Sequence, residues 1–371
     1  MPTKVKGTTG VDKVEAGAVI TNPAFSGDAT VSGSLTIAGE TAATQNSLGV
    51  RNLIINGDMR IDQRNAGASV TPSSFSSTFV TDRFFYFSNT SNTNLTLQQQ
   101  SSTPPSDFSF YTRVTANSAG TVASTNEFSY IHRIEGQNIA HLKWGTADAK
   151  TVTLSFWVRS SLTGTFGGII GNSALNRIYP ISYTISSANT WEKKTITIVG
   201  DTTGTWLTTN GIGMQIYWSM GCGSTFLGTA GSWGSTFYLG ATGQTNLVQN
   251  NGATLDITGV QLEVGDTATP FEHRPYDMEL QRCERYYEVM TNAGPNGIVG
   301  LSWGVNSNHW WNWHFHTPKR TAPTITSYYS FLINTPTVNG TSIDMMQYVS
   351  GGAYYMPTTT GNISLSASAE L

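Results

Sequence analysis

The densest run of side chains capable of chemistry is His309-Trp310-Trp311-Asn312-Trp313-His314-Phe315-His316. On a strand, successive side chains point to opposite faces. His309, Trp311, Trp313 and Phe315 then share one face, and Trp310, Asn312, His314 and His316 the other. Three kinds of chemistry fit this pattern. An aromatic face can be the buried side of a core strand. The indoles of Trp310, Trp311 and Trp313 can instead form a stacking platform for the apolar C–H surfaces of sugar rings, with Trp233 as a further candidate. His314 and His316 set two imidazoles on the same side of the strand, about 7 Å apart. One chain supplies too few ligands for a metal cage, but three chains around an axis would complete one.

Other catalytic patterns are missing. The sequence has no G-x-S-x-G, P-loop, G-x-G-x-x-G or H-E-x-x-H. A glycosidase needs two carboxylates flanking one bond. Glu127, Glu135, Asp148 and Asp201 are spaced without any reason to pair, and read as solvated loop or strand-end charges. The chain therefore reads as a non-enzyme with no cofactor. Trp144, Trp157, Trp206 and Trp233 read individually as core or rim residues.

The elements that position these residues are mostly strands. Thr151–Arg159 alternates Val152, Leu154, Phe156 and Val158 against Thr151, Thr153, Ser155, Trp157 and Arg159. Gly211–Gly221 does the same with Ile212, Met214, Ile216, Trp218 and Met220, and Trp191–Val199 is a third case. Such strands separated by turn residues predict an antiparallel sandwich over 50–275. In Leu255–Leu262 the apolar parity changes between Ile257 and Val260, which predicts a bulge at Gly259.

One convincing helix follows, over Tyr276–Met290. Pro275 reads as a first-turn residue, with Asp277 and Glu279 at the positive end. Tyr276, Leu280, Cys283, Tyr287 and Met290 form a narrow seam, and Gly294-Pro295 ends the linking segment 276–293. Residues 294–371 return to β-like sequence and predict a small C-terminal β domain. Residues 1–49 are polar and rich in Gly, Ala and Thr. Val31, Leu35 and Ile37 alternate there between glycines, a strand unable to bury its face without copies of itself. The remaining reading of 1–49 is a loose tail.

Composition agrees with a sheet protein. Of 371 residues only 12% are charged, about half the usual share. Gly (38 residues) and polar turn formers fill the gap, while 11% aromatic residues provide for a packed core. A net charge of −3 without a basic patch gives no attraction for nucleic acid or an anionic membrane. The start MPTKVKGTTG has no apolar signal core, and no run approaches a membrane span, so synthesis in the cytoplasm without membrane insertion is expected. The two cysteines, Cys222 and Cys283, read as unpaired structural thiols.

Several segments carry a resemblance. Asn52-Leu53-Ile54-Ile55-Asn56-Gly57-Asp58-Met59 resembles the first strand of carbohydrate-binding-type jelly-roll modules. Ile257–Gly265 resembles their last strand. Ala268-Thr269-Pro270-Phe271-Glu272-His273-Arg274-Pro275, followed by Glu284-Arg285-Tyr286-Tyr287, resembles a joint found in bacteriophage tail-fibre and other virion fibre proteins. Phe315–Ile325 is similar to a strand and turn of the C-terminal domain that follows that joint, and residues 26–40 to the Gly-punctuated strands of trimeric shafts.

The resemblance covers about residues 50–330 and implies an all-β fibre protein. Its parts would be an extended N-terminal arm and shaft, an antiparallel jelly-roll sandwich, a short linking helix and a small C-terminal β domain. It implies a homotrimer located in the virion, tied to other tail or baseplate proteins through residues 1–49, that adheres to glycans on the bacterial host surface. The trimer would also hide the apolar surface of residues 276–371 and bring His314 and His316 near their symmetry mates. In related modules acids near the first and last strands lie close to a structural calcium. Here Asp58 matches, while the last strand offers Gln261 and Glu263 without a second aspartate. Two rivals are a purely structural virion fibre and a glycan-depolymerising tail spike.

Overall fold

Alternation of apolar and polar residues builds most of this molecule, because a strand with one apolar face must lay that face on another sheet. The computed structural model describes residues 36–37, 40–41, 51–90, 95–292, 308–327, 337–338, 342–348 and 363–371. The chain divides into two units, 1–45 and 46–371. In the first, Thr36–Ile37 and Glu40–Thr41 form a short antiparallel ladder. The rest of the expected shaft strand, with Val31 and Leu35, lies outside the described residues.

The second unit contains the expected antiparallel jelly-roll sandwich. One sheet has six strands in the order Ile178–Ile185, Gly164–Gly171, Ile212–Cys222, Glu127–Glu135, Phe84–Ser88 and Thr78–Thr81. The other has five, in the order Glu192–Ile198, Val152–Ser160, Thr254–Val264, Tyr111–Ala116 and Leu95–Gln100. The chain passes repeatedly between the sheets, as a jelly roll requires. The inner faces carry the predicted residues. Leu154, Phe156, Val158, Met214, Ile216, Trp218 and Met220 are all fully buried in one core cluster.

The bulge lies where the change of parity places it. Thr258 pairs with Trp157 and Gln261 with Ser155, so Gly259 and Val260 together oppose Phe156. Gly259 has φ +61, a left-handed value that glycine adopts without a Cβ penalty. The extra residue brings both Leu255 and Ile257, and Val260 and Leu262, to zero exposure. It also changes the strand's neighbour. Before it, Thr254–Ile257 pairs with Thr112–Thr115. After it, Val260 donates to Gly57 O at 2.9 Å and Leu53 donates to Leu262 O at 2.9 Å.

The helix is shorter than the pattern implies. It spans Tyr276–Glu284, and from Tyr287 the chain is a strand, Tyr287–Asn292, paired with Ile363–Ser368. Aromatic and β-branched residues from Tyr286 to Val289 favour the pleated state once a partner strand is present. Pro275 stands one residue outside the helix, as its N-cap, with φ −53 and ψ 146, and its carbonyl accepts from Glu279 N. The buried stripe is also displaced. Glu279, Cys283 and Tyr286 face inward, Leu280 is half-buried, and Tyr276 and Met278 are exposed.

That stripe is polar at its start because it meets an ion network. Arg274 donates from Nη1 to Glu279 Oε2 (3.0 Å) and to Ile54 O (3.0 Å), and from Nη2 to Glu272 Oε2 (3.0 Å) and Asn52 O. Glu279 also accepts from Asn56 N, and Glu272 from Asn52 N at 2.8 Å. The charged residues of the linker thus satisfy the backbone of the first segment. Cys222 and Cys283 are free and buried.

The C-terminal residues form two three-stranded antiparallel sheets. One is ordered Tyr287–Asn292, Ile363–Ser368, Thr324–Ser327, the other Asn308–His314, Ser342–Tyr348, Thr337–Val338. The first is fastened to the sandwich by charge. Glu135 accepts from Arg285 Nε (2.9 Å), Arg285 Nη2 (2.7 Å) and Tyr286 Oη (2.7 Å). Glu370 pairs with Arg64 and Arg83, and Arg133 Nη1 donates to Leu371 O at 2.6 Å. Among the described residues no helix is long and apolar enough to cross a membrane.

Asp82 is a further buried acid at this joint. It accepts from Gln63 N (3.1 Å) and Gln63 Nε2 (2.5 Å), with Arg64 3.6 Å away. Burial pushes its carboxyl up to about 7 despite Arg64. A folded-state value above the unfolded one means that the native state binds the proton more tightly. The stability this contributes is complete below the unfolded pKa, about 3.9, and is lost as pH rises through about 7. Asp82→Asn removes this slope. The parent's advantage over the variant in urea melts should fall by at least about 1 kcal/mol between pH 5 and pH 8. Parallel pH profiles would show that Asp82 titrates normally.

Candidate functional site

The outer face of the five-stranded sheet is only partly covered. Thr153 and Glu263 lie beneath the linker, where Thr153 Oγ1 donates to Gly265 O and Glu263 accepts from Thr269 N and Oγ1. Across the rest of the face Gln98, Arg113, Asp256 and Arg159 are cross-strand neighbours in one row. Asp256 is 1% exposed and holds both arginines. Arg113 donates from Nε (2.7 Å) and Nη2 (2.9 Å), and Arg159 from Nε (2.8 Å). Donating to the Asp256 carboxylate raises the Arg113 pKa still further. A carboxylate that accepts from the edges of two guanidinium groups fixes their directions, so their remaining N–H groups are preorganised donors.

Aromatic rings border this row. Tyr111 and Trp191 meet edge to face at 5.3 Å, and Arg159 lies over Trp191 at 4.6 Å. Trp191 Nε1 and Arg159 Nη1 donate to the carbonyl of Thr103, which pins the 101–110 loop beside the patch. Trp157 is half-buried next to the Gly259 bulge. Flat rings beside directed polar groups suit a ligand with apolar C–H faces and many hydroxyls. Strand alternation exposes Trp157 and Arg159 to sequence reasoning. Arg113, Asp256 and Trp191 are missed because their contacts cross three strands far apart in the chain.

The residues singled out from sequence are distributed differently. Trp310, Trp311 and Trp313 lie on the strand Asn308–His314, paired with Ser342–Tyr348, but their side chains are outside the described residues. Trp233 is half-buried and packs edge-on against Trp144 (5.3 Å), Trp206 (5.6 Å) and Tyr179 (5.2 Å), with Nε1 donating to Val199 O at 2.7 Å. It closes the rim of the core as part of an aromatic cluster. His314 is exposed, whereas His316 turns to its own chain and lies 3.3 Å from Glu284 Oε1 and 3.1 Å from Glu288 Oε1. Asp58 pairs with Arg60 at 3.1 Å, and Gln261 Nε2 donates to Glu263 Oε1 at 2.8 Å, so each of the three already has a partner within the chain.

No protein-family model matches the chain, and no curated relative matches it. Solved structures of similar shape include a putative sugar binding protein from Bacteroides thetaiotaomicron. It is 12% identical, with 58% of this chain and 100% of that one covered and a TM-score of 0.34. A family 11 carbohydrate-binding module of a Clostridium thermocellum cellulase is 10% identical, over 57% and 100%, with a TM-score of 0.27. The enzymatically active domain of tailspike protein 4 from bacteriophage CBA120 is 13% identical, over 58% of this chain and 21% of that chain, with a TM-score of 0.29. The chain thus spans about a fifth of the tailspike domain's length. Likeness at this level concerns shape alone.

Proposed function

We propose that this protein is a non-enzymatic virion fibre protein that adheres to glycans on a bacterial surface. The observation that carries the reading is the sheet face on which Asp256 directs Arg113 and Arg159 beside the half-buried Trp191 and Trp157, with Tyr111 buried as their support. Guanidinium groups donate to sugar hydroxyls and carboxylates, and the indoles receive the apolar side of the ring. The resemblance of Ala268–Pro275 and Glu284–Tyr287 to the joint of phage fibre proteins supports the virion setting. The bonded linker supports it further, because a fibre must hold successive modules in fixed relation. Exposed Tyr276 and Met278 on the linking helix leave apolar surface that a threefold assembly would cover. Residues 1–49 would then attach the trimer to other tail or baseplate proteins.

Full-length protein on an array of bacterial surface polysaccharides should bind a restricted set of glycans. Trp191→Ala should weaken that binding about tenfold, the effect of losing one contact of about 1.4 kcal/mol. No reducing ends should appear on incubation with the bound polysaccharide. Reducing ends would identify a depolymerase instead, and no binding to any glycan or cell would leave a structural fibre. Binding lost with Trp311→Ala and retained with Trp191→Ala would move the site to the C-terminal strand. Light scattering should give three times the chain mass, and a monomer at micromolar concentration would refute the trimer.

A further inference from the structure

His316 brings an imidazole to two carboxylates that the sequence separates from it by about 30 residues. Glu284 ends the linking helix, Glu288 sits in the strand that follows, and His316 lies in the loop after Asn308–His314. Their ligand atoms all lie within 4.8 Å of one another. Two donors each about 2.1 Å from one ion, at angles of 90–110°, stand about 3.0–3.4 Å apart. The Nδ1 distances of 3.3 Å to Glu284 Oε1 and 3.1 Å to Glu288 Oε1 fall in that interval.

The surroundings point the same way. Lys319 is buried and donates to Glu288 Oε2 and to the carbonyl of Glu284 at 2.6 Å. It therefore holds one oxygen of Glu288 and leaves Oε1 aimed at His316, whose own backbone N–H donates to it at 3.2 Å. Such outer partners orient the ligating carboxylate in metal sites. Among these four residues two carboxylates face one ammonium, so one negative charge is uncompensated while the imidazole is neutral. A single Nδ1–H also cannot serve both carboxylate oxygens fully. His316 is 66% exposed, which leaves room for water in the open coordination positions.

We propose that Glu284, Glu288 and His316 form a divalent-metal site within one chain, suited to borderline ions such as Zn²⁺ or Co²⁺ that accept mixed imidazole and carboxylate ligands. The ion ties the 315–323 loop to the helix end and to Tyr287–Asn292, so it fastens the C-terminal sheet to the linking helix. The site is separate from the proposed glycan face and does not depend on it.

The test uses full-length protein stripped with a chelator and titrated with Co²⁺, followed by its visible absorption band and by calorimetry. One ion per chain should bind, and the melting temperature should rise with Co²⁺ concentration. His316→Ala and Glu284→Gln should each weaken binding by at least about tenfold, the lower end of what even an outer-shell change costs. Both variants keep the Lys319–Glu288 pair, and their melting without metal reports whether they fold. His314→Ala should bind as the parent does. Absence of a band and of heat up to millimolar Co²⁺ would overturn the site and leave His316 as a hydrogen-bond partner of the glutamates. Unchanged affinity in His316→Ala would place the ion elsewhere. One ion per three chains, lost in His314→Ala, would place it between chains instead.

Discussion

Replacing Arg274 with methionine should cost about 3–5 kcal/mol, the range for breaking a buried ion pair by removing one partner. The Arg274–Glu279 pair is almost wholly buried, with 5% and 4% of the two side chains exposed. Methionine keeps much of the volume, so packing loss is small. What is lost is compensation. Glu279 and Glu272 keep their charges, and the carbonyls of Asn52 and Ile54 lose their donor. The buried acceptors then carry the desolvation penalty that the guanidinium had offset. Urea unfolding should show the whole unit 46–371 melting earlier, because the linker bonds both to the first segment and to the helix. A change below about 1 kcal/mol would mean that water already reaches the network.

The same network explains which parts of the molecule the sequence discloses. Inward residues of the sandwich strands are legible because period-two alternation and burial are one signal. Gly259 is legible for the same reason: the apolar parity fails unless one residue is extra. The helix seam is misread by one position. Tyr276, Leu280 and Cys283 look like the apolar stripe, but Glu279, Cys283 and Tyr286 are the buried one. A glutamate is a poor candidate for burial until Arg274, five residues earlier and beyond a proline, is known to meet it. Leu280→Asp at the half-buried position should therefore be milder than Arg274→Met. The far end of the helix fails for a related reason. Tyr287–Asn292 becomes a strand only because Ile363–Ser368, more than 70 residues later, supplies its ladder. The candidate glycan face is missed likewise, since Arg113, Arg159 and Asp256 are adjacent only across strand pairings.

Gly57→Ala should cost about 2–4 kcal/mol, from overpacking and a weakened backbone hydrogen bond together. A Cβ at Gly57 would stand 2.1 Å from the carbonyl oxygen of Val260. The obstacle is backbone, so no rotamer change relieves it. The first segment cannot simply retreat either. Val260 N donates to Gly57 O at 2.9 Å, and the neighbouring Asn56, in a left-handed conformation, spends its side chain on Ile61 and on the Asp82 carbonyl. Gly234→Ala provides the comparison, with nothing within 4 Å of its added methyl, and should stay within about 0.5 kcal/mol of the parent. Urea midpoints of the two variants that agree within that margin would show that the contact at Val260 is not close. The clash lies past the Gly259 bulge, whereas Asp256 pairs with Arg113 before it. Well below its melting temperature Gly57→Ala should therefore keep the parent's glycan affinity, because the bulge separates the strand half that closes the sandwich from the half whose Asp256 holds the two arginines.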